Sequence, residues 1–298
     1  MSDVYENIET SKELVDEYLK IYSSILQSAS KFIFDSDIEE KSVIVLRLIY
    51  AKTLAFRKLL DGISYNYIDE KTCKVVVEPT TLFVIIRNIL ELIYVYVYVF
   101  VKPNTKEKKE FAYYLYMYTG LKERLAFCED RDKIENEQIV KTIIKMNEAA
   151  ERVTESPYFK ALSPESQSAI QNVMKKAHPS YRYELGEHEV KQVNYEEACE
   201  GIGMTGRFYN RLYAYLSTHA HPTYLSLVQF KEAYVGEKPL HDGFAGLATT
   251  LLVSCLSVLF ENARKQSPYM EALYQNLNAK EKEMVSYYIQ LTHVENNN

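Results

Sequence analysis

The sequence calls for an all-α fold, a multi-helix bundle of about eight to ten helices with little or no strand. Three observations carry that expectation. Apolar and aromatic residues recur at helical spacing along most of the 298 positions. Glycine and proline number only nine and eight, too few to punctuate many strands and tight turns. The 47% hydrophobic and 26% charged residues are those of an ordinary globular chain with a sizeable core.

The elements follow in order. Residues 5–33 place Leu14, Tyr18, Ile21, Tyr22 and Ile25 on one helical face, with charges on the other. The cluster Asp35, Ser36, Asp37 breaks that helix and caps a second. The second runs to Ile63 through Val43, Leu46, Ile49, Leu54 and Leu60, and the two form an antiparallel hairpin. Residues 64–78 read as a loop or short extended piece. Pro79 then opens a third helix, since a first-turn residue needs no amide hydrogen. Its end, Tyr94–Val101, alternates tyrosine and valine as a strand would. The uninterrupted helical period of Leu82–Ile93 favours helix, with strand as the alternative. A fourth helix covers 105–130 through Phe111, Leu115, Tyr118, Leu121 and Leu125. Residues 134–155 and 164–177 are more polar helices, and 178–203 is the longest irregular stretch, with room for a short helix at 195–200. Met204–His221 reads as one helix stopped by Pro222. Asp242 caps an apolar helix to Lys265, and a charged helix at 278–293 precedes an Asn-rich tail. No internal repeat of fixed period is present. One helical domain, 1–298, is expected: an N-terminal hairpin over 1–63, a core over 79–265, and a C-terminal helix and tail over 266–298.

Composition excludes several function classes. The net charge of −6 lacks the basic signature of a dedicated nucleic-acid binder, and Lys106–Lys109 reads as a solvated helix start. Cys73, Cys128, Cys199 and Cys255 are scattered, with no CxxC, and the polar, acidic MSDVYENIET start is no secretory signal. Both fit a cytoplasmic protein. Residues 82–101 are long enough to span a bilayer, but carry Arg87, Asn88 and Glu91 mid-segment. Ala245–Phe260 is uncharged but short, with Thr249, Thr250, Ser254 and Ser257 along it. Both read better as helices buried in protein, so no membrane span is expected.

Two groups of residues could carry chemistry. Arg87 and Glu91 lie four apart on an apolar helix, so they share a face and are expected to be drawn together into the core. Such a pair is as consistent with a functional site as with an internal ion pair that fixes packing. On the later helix Tyr209, Tyr213, Ser217 and His221 form a stripe at i, i+4 spacing, with Arg207, Asn210, Arg211 and His219 beside it. The plainer account is that the tyrosines pack, Ser217 bonds back to a carbonyl and His221 satisfies a helix end. Glu187, His188 and Glu189 could ligate a metal, but no HExxH or ExxH pair occurs. Phosphate-binding glycine motifs and a GxSxG elbow are absent, so no metal and no cofactor is expected. The 26 tyrosines sit mostly at core positions rather than on a base-stacking surface.

The run FVIIRNILELIYVYVYVF resembles the R-x-x-x-E helix of a family of uncharacterised bacterial helical proteins. The run EEACEGIGMTGRFYNRLYAYLSTHAHPTYLSL resembles that family's later Y-x-x-x-S-x-x-x-H-P segment. The resemblance covers roughly residues 40–265. It places the motif on Arg87 and Glu91, then on Tyr213, Ser217, His221 and Pro222, and implies a distant similarity to the HEPN helical bundles. HEPN ribonucleases pair an Arg with a His about four to six residues later, across a dimer. Here Arg211 precedes His219 by eight positions and His221 by ten, which counts against that activity.

Two functions remain. The first is an interaction or regulatory module, for example in a bacterial antiphage defence or toxin-like system, forming a homodimer or binding another protein. The alternative is a metal-independent ribonuclease. In it His219 or His221 serves as acid or base, Arg207 or Arg211 steadies the phosphate, and RNA is the substrate. A small-ligand pocket lined by Tyr209 and Tyr213 is a third option. The site expected under any of them joins Arg87 and Glu91 to Ser217 and His221.

Overall fold

The computed structural model describes residues 8–29, 36–62, 77–128, 136–221, 223–234, 241–266 and 268–294. The loop over 64–76, Asp35, Cys73, the Pro222 helix stop and the Asn-rich tail lie outside the described residues. In chain order the helices are α1 (Ile8–Ala29), α2 (Asp37–Leu59), α3 (Pro79–Val95), α4 (Lys106–Ala126), α5 (Glu137–Thr154), α6 (Pro157–Ala161) and α7 (Pro164–Lys175). A hairpin of β1 (Tyr183–Leu185) and β2 (Val190–Gln192) follows. Then come α8 (Tyr195–Ile202), α9 (Leu212–Ala220), α10 (Tyr224–Tyr234), α11 (His241–Gln266), α12 (Pro268–Gln275) and α13 (Ala279–Leu291). The fold is therefore all-α, and the hairpin is the one sheet among the described residues. Two compact units are formed, one from 1–35, 43–93 and 195–298, the other from 36–42 and 94–194. Two of these boundaries fall inside helices α2 and α3, where no linker composition marks them.

In the first unit α11 is the central element and packs against α1, α10, α12 and α13. Three of its buried hydroxyls find partners, while Thr249 Oγ1 has none among the described residues. Ser257 pairs with the Tyr18 hydroxyl at 2.6 Å, Ser254 with that of Tyr209 at 3.0 Å, and Thr250 donates to the Gly246 carbonyl. Buried polar groups that find partners avoid most of the desolvation cost, so an apolar helix can carry them inside protein. Tyr18 also stacks on Phe260, and Tyr22 donates to the Leu46 carbonyl at 2.8 Å, which ties α1 to α2. By length and composition alone, Thr80–Val101 and Asp242–Lys265 could each cross a membrane; 61% and 83% of their apolar windows are buried inside the protein.

α2 differs from expectation at Leu54. Val43, Leu46, Ile49 and Leu60 are buried, but Leu54 is 42% exposed. It lies on the opposite face, because five positions from Ile49 rotate a helix by well over a third of a turn.

The second unit is built around Phe111 and Leu115 of α4, Val153 of α5, Tyr158 and Phe159 of α6, Ile170 and Met174 of α7, and Tyr183 of β1. Its helix starts are set locally. Thr105, Asn136, Ser156 and Ser163 each accept a first-turn amide, and the last two are followed by Pro at the first helical position. The segment 94–101 is helical, not strand: Tyr96–Val101 forms a π-helical turn, closed by Lys102 N–H donating to the Val97 carbonyl at 2.8 Å. Tyr96 through Phe100 are all buried, so the alternation of residue types reflects burial all round the helix rather than two faces of a sheet. The stretch 178–203 is more ordered than its composition implied. Tyr183 pairs with Gln192 across the hairpin, and Gly186 N–H closes the turn on the Glu189 carbonyl at 2.8 Å.

Candidate functional site

Three features of the first unit position the residues of interest. Glu78 caps α3, its carboxylate accepting the amides of Thr80 and Thr81 at 2.9 and 2.6 Å. Burial alone would raise the Glu78 pKa, but these bonds outweigh it and hold the group below its usual value. At the far end of α8, Gly203 adopts φ 102°. Its amide donates to the Glu200 carbonyl and that of Met204 to Cys199, the paired closure of a helix ending on a left-handed glycine. Gly206 is then held against the C-terminal segment, where its amide donates to the Thr292 carbonyl; an added Cβ would meet Val294 O at 2.8 Å.

These turns mean that Met204–His221 is not one helix. A 3₁₀ turn at Tyr209–Arg211 precedes α9, and Tyr209 points to Ser254 of α11. The stripe Tyr209, Tyr213, Ser217, His221 is thereby divided.

Tyr213 closes the polar cluster. Arg87 Nη2 donates to the Tyr213 hydroxyl at 2.7 Å, and that hydroxyl donates to Glu91 Oε1 at 3.0 Å. The ion pair from Arg87 Nη2 to Glu91 Oε1 is 3.3 Å. The guanidinium also lies 5.0 Å from the Tyr213 ring centre, while Tyr195 of α8 stacks on the same ring at 3.3 Å. The Arg87 and Glu91 side chains are 24% and 28% exposed, so they sit at the margin of the core rather than inside it. That position lowers the desolvation cost that full burial would impose. Burial raises the Tyr213 pKa, with Tyr195 and Glu91 adding and Arg87 opposing, so the phenol stays protonated and acts as a donor. Arg87 Nε is buried with no partner among the described residues.

The other expected members lie elsewhere. Ser217 donates back to the Tyr213 carbonyl at 2.7 Å, as the plainer account had it. His221 is exposed and ends α9. Among the described residues no hydrogen bond or ion pair joins Ser217 or His221 to Arg87 or Glu91. Arg207 and Arg211 are exposed, and Arg211 lies 3.6 Å from Glu196. Glu187, His188 and Glu189 occupy the hairpin turn, and no group of three or more metal-ligating side chains occurs among the described residues.

His219 takes a different path from His221. It is 7% exposed, tilted over Phe83 of α3 at 4.4 Å between ring centres, with Tyr215 edge-on at 5.3 Å. Neither ring nitrogen has a hydrogen-bond partner among the described residues. Burial lowers its pKa, and the Glu78 carboxylate partly opposes the shift. The imidazole is therefore neutral near pH 7 and packs as an aromatic ring.

Sequence reasoning missed Tyr213 as the bridge, Tyr195 as its stacking partner, and Phe83 with Glu78 around His219. The available signal was that a charged pair on an apolar helix needs a third polar group. Of the two tyrosines in the stripe, Tyr213 reaches it from α9, while Tyr209 pairs with Ser254. All these residues except Glu78 fall within 79–237. No curated protein and no solved structure matches the chain. The model of a family of unknown function, DUF5677, matches residues 79–237, and the chain belongs to that family.

Proposed function

We propose that the protein is an interaction or regulatory module rather than an enzyme. The observation that carries this reading is the closure of its polar cluster. Arg87 Nη2 and Glu91 Oε1 are engaged with each other and with the Tyr213 hydroxyl, and a protonated phenol between a guanidinium and a carboxylate is poorly suited to proton transfer near neutral pH. A cluster of this kind fixes how two helices pack. The exposed apolar side chains of α2 and α10, among them Leu48 at 45% and Tyr224 at 83%, add support for a protein that works through contacts. A place in an antiphage defence or toxin-like system rests on the HEPN resemblance alone.

The ribonuclease alternative has less behind it. His219 is walled off by Phe83 and Tyr215, and His221 lies about 15 Å along the helix axis from Arg211, too far for both to grip one phosphate within one chain. Incubation of RNA with the wild type and with the His219→Ala and His221→Ala variants separates the two. Equal cleavage, or none, is expected in all three. Cleavage that disappears in either variant while its melting temperature is kept would overturn the module reading.

A further inference from the structure

Helix α2 is buried on one side and apolar on the other. Val43, Leu46, Ile49, Phe56 and Leu60 face the protein. On the opposite side Ile44, Leu48 and Leu54 are 44%, 45% and 42% exposed, and Arg47, Ala51, Ala55 and Lys58 are exposed with them. The spacing 44, 48, 51, 55, 58 alternates steps of four and three residues, the seam along which two helices pack side by side. Two alanines near its middle let another helix approach closely.

The charges on the same helix select the occupant. Its first turn carries Asp37, Glu39 and Glu40, and its last turn carries Arg57 and Lys58. Lys58 is 85% exposed and Glu40 51%. A second copy of this helix, laid antiparallel about a twofold axis, brings each acidic end beside a basic end. With the axis level with the Ile49–Tyr50 peptide, Leu48 meets the other copy's Ala51, Ile44 its Ala55, and Glu40 lies beside its Lys58. A parallel arrangement would instead set acid beside acid. Self-complementarity of this sort is what a twofold interface requires.

We propose that the exposed face of α2 is the surface through which two copies of this chain associate, antiparallel and in that register. The proposal rests on the module reading and names its partner.

Sedimentation velocity across a concentration series of the full chain tests it. The wild type is expected to shift from monomer to dimer, and Leu54→Asp to raise the dissociation constant at least about tenfold by placing a charge at the edge of the apolar seam. Glu40→Lys and Lys58→Glu should each weaken the dimer by about threefold or more, since each places like charges together twice per dimer. The double variant Glu40→Lys/Lys58→Glu should restore it. All three positions are solvent-facing, and unchanged circular dichroism melts confirm the fold. A wild type that stays monomeric at all concentrations overturns the proposal and leaves the module reading standing with another partner. A dimer indifferent to Leu54→Asp overturns the surface. Two weakened single variants with no rescue in the double overturn the antiparallel register. Failure of the module reading is seen separately, in the RNA assay.

Discussion

The contact between α3 and α9 has two ends that treat polar side chains in opposite ways. At one end Arg87 Nη2, Glu91 Oε1 and the Tyr213 hydroxyl pair with one another, leaving the buried Arg87 Nε unpartnered among the described residues. At the other, His219 is held between Phe83 and Tyr215 with both nitrogens unpaired. The first end keeps its charges by supplying partners and leaving them about a quarter exposed. The second loses its charge instead, because burial lowers the imidazole pKa until the neutral ring is the stable form. The same helix pair thus shows both ways in which a polar group can be kept near a core, and only the first is strongly sensitive to truncation.

Arg87→Met is the most damaging change expected. It leaves the Glu91 carboxylate half-enclosed with only the Tyr213 hydroxyl, and should cost roughly 2–3 kcal/mol in urea unfolding. A loss below about 0.5 kcal/mol would mean that the cluster contributes nothing to the packing. Tyr213→Phe keeps the ring stacked on Tyr195 and removes only the bridging hydroxyl. Because Arg87 and Glu91 still meet directly, about 1–2 kcal/mol is expected.

His219→Phe should change stability by less than about 1 kcal/mol at pH 8, since the ring packs as an apolar group. Its informative readout is pH. A histidine with a lowered folded pKa binds fewer protons folded than unfolded. Its stability contribution is complete above the unfolded value near 6.5 and declines as the pH falls below it. Thermal melts of the wild type should therefore lose more stability between pH 7 and 5 than those of His219→Phe. Identical pH profiles would show that His219 is not buried neutral.

Much of this architecture is legible in the sequence, and the illegible part has a physical cause. Helix positions follow from periodicity, and the buried hydroxyls of α11 and the charged pair of α3 are visible as polar residues on apolar helices. Their partners are not visible, because i, i+4 spacing says which residues share a face but not which face meets a neighbour. Ser217 and His221 share a stripe with Tyr213, yet the short Ser217 donates back to the Tyr213 carbonyl and His221 ends α9, so Tyr213 is the one hydrogen-bonded to Arg87. Leu54 was misplaced for a related reason, since an apolar residue on a helix with two apolar faces carries no mark of which one is buried. The hairpin at 183–192 has three-residue strands, too short for an alternating pattern to register.

A double-mutant cycle on Arg87→Met and Tyr213→Phe, read by urea unfolding, measures the tie between α3 and α9 most directly. If Tyr213 joins the two helices through Arg87 and Glu91, the double variant should be less destabilised than the sum of the singles by at least about 1 kcal/mol. Additivity to within about 0.3 kcal/mol would contradict the tie, and with it the assignment of this cluster to packing rather than chemistry.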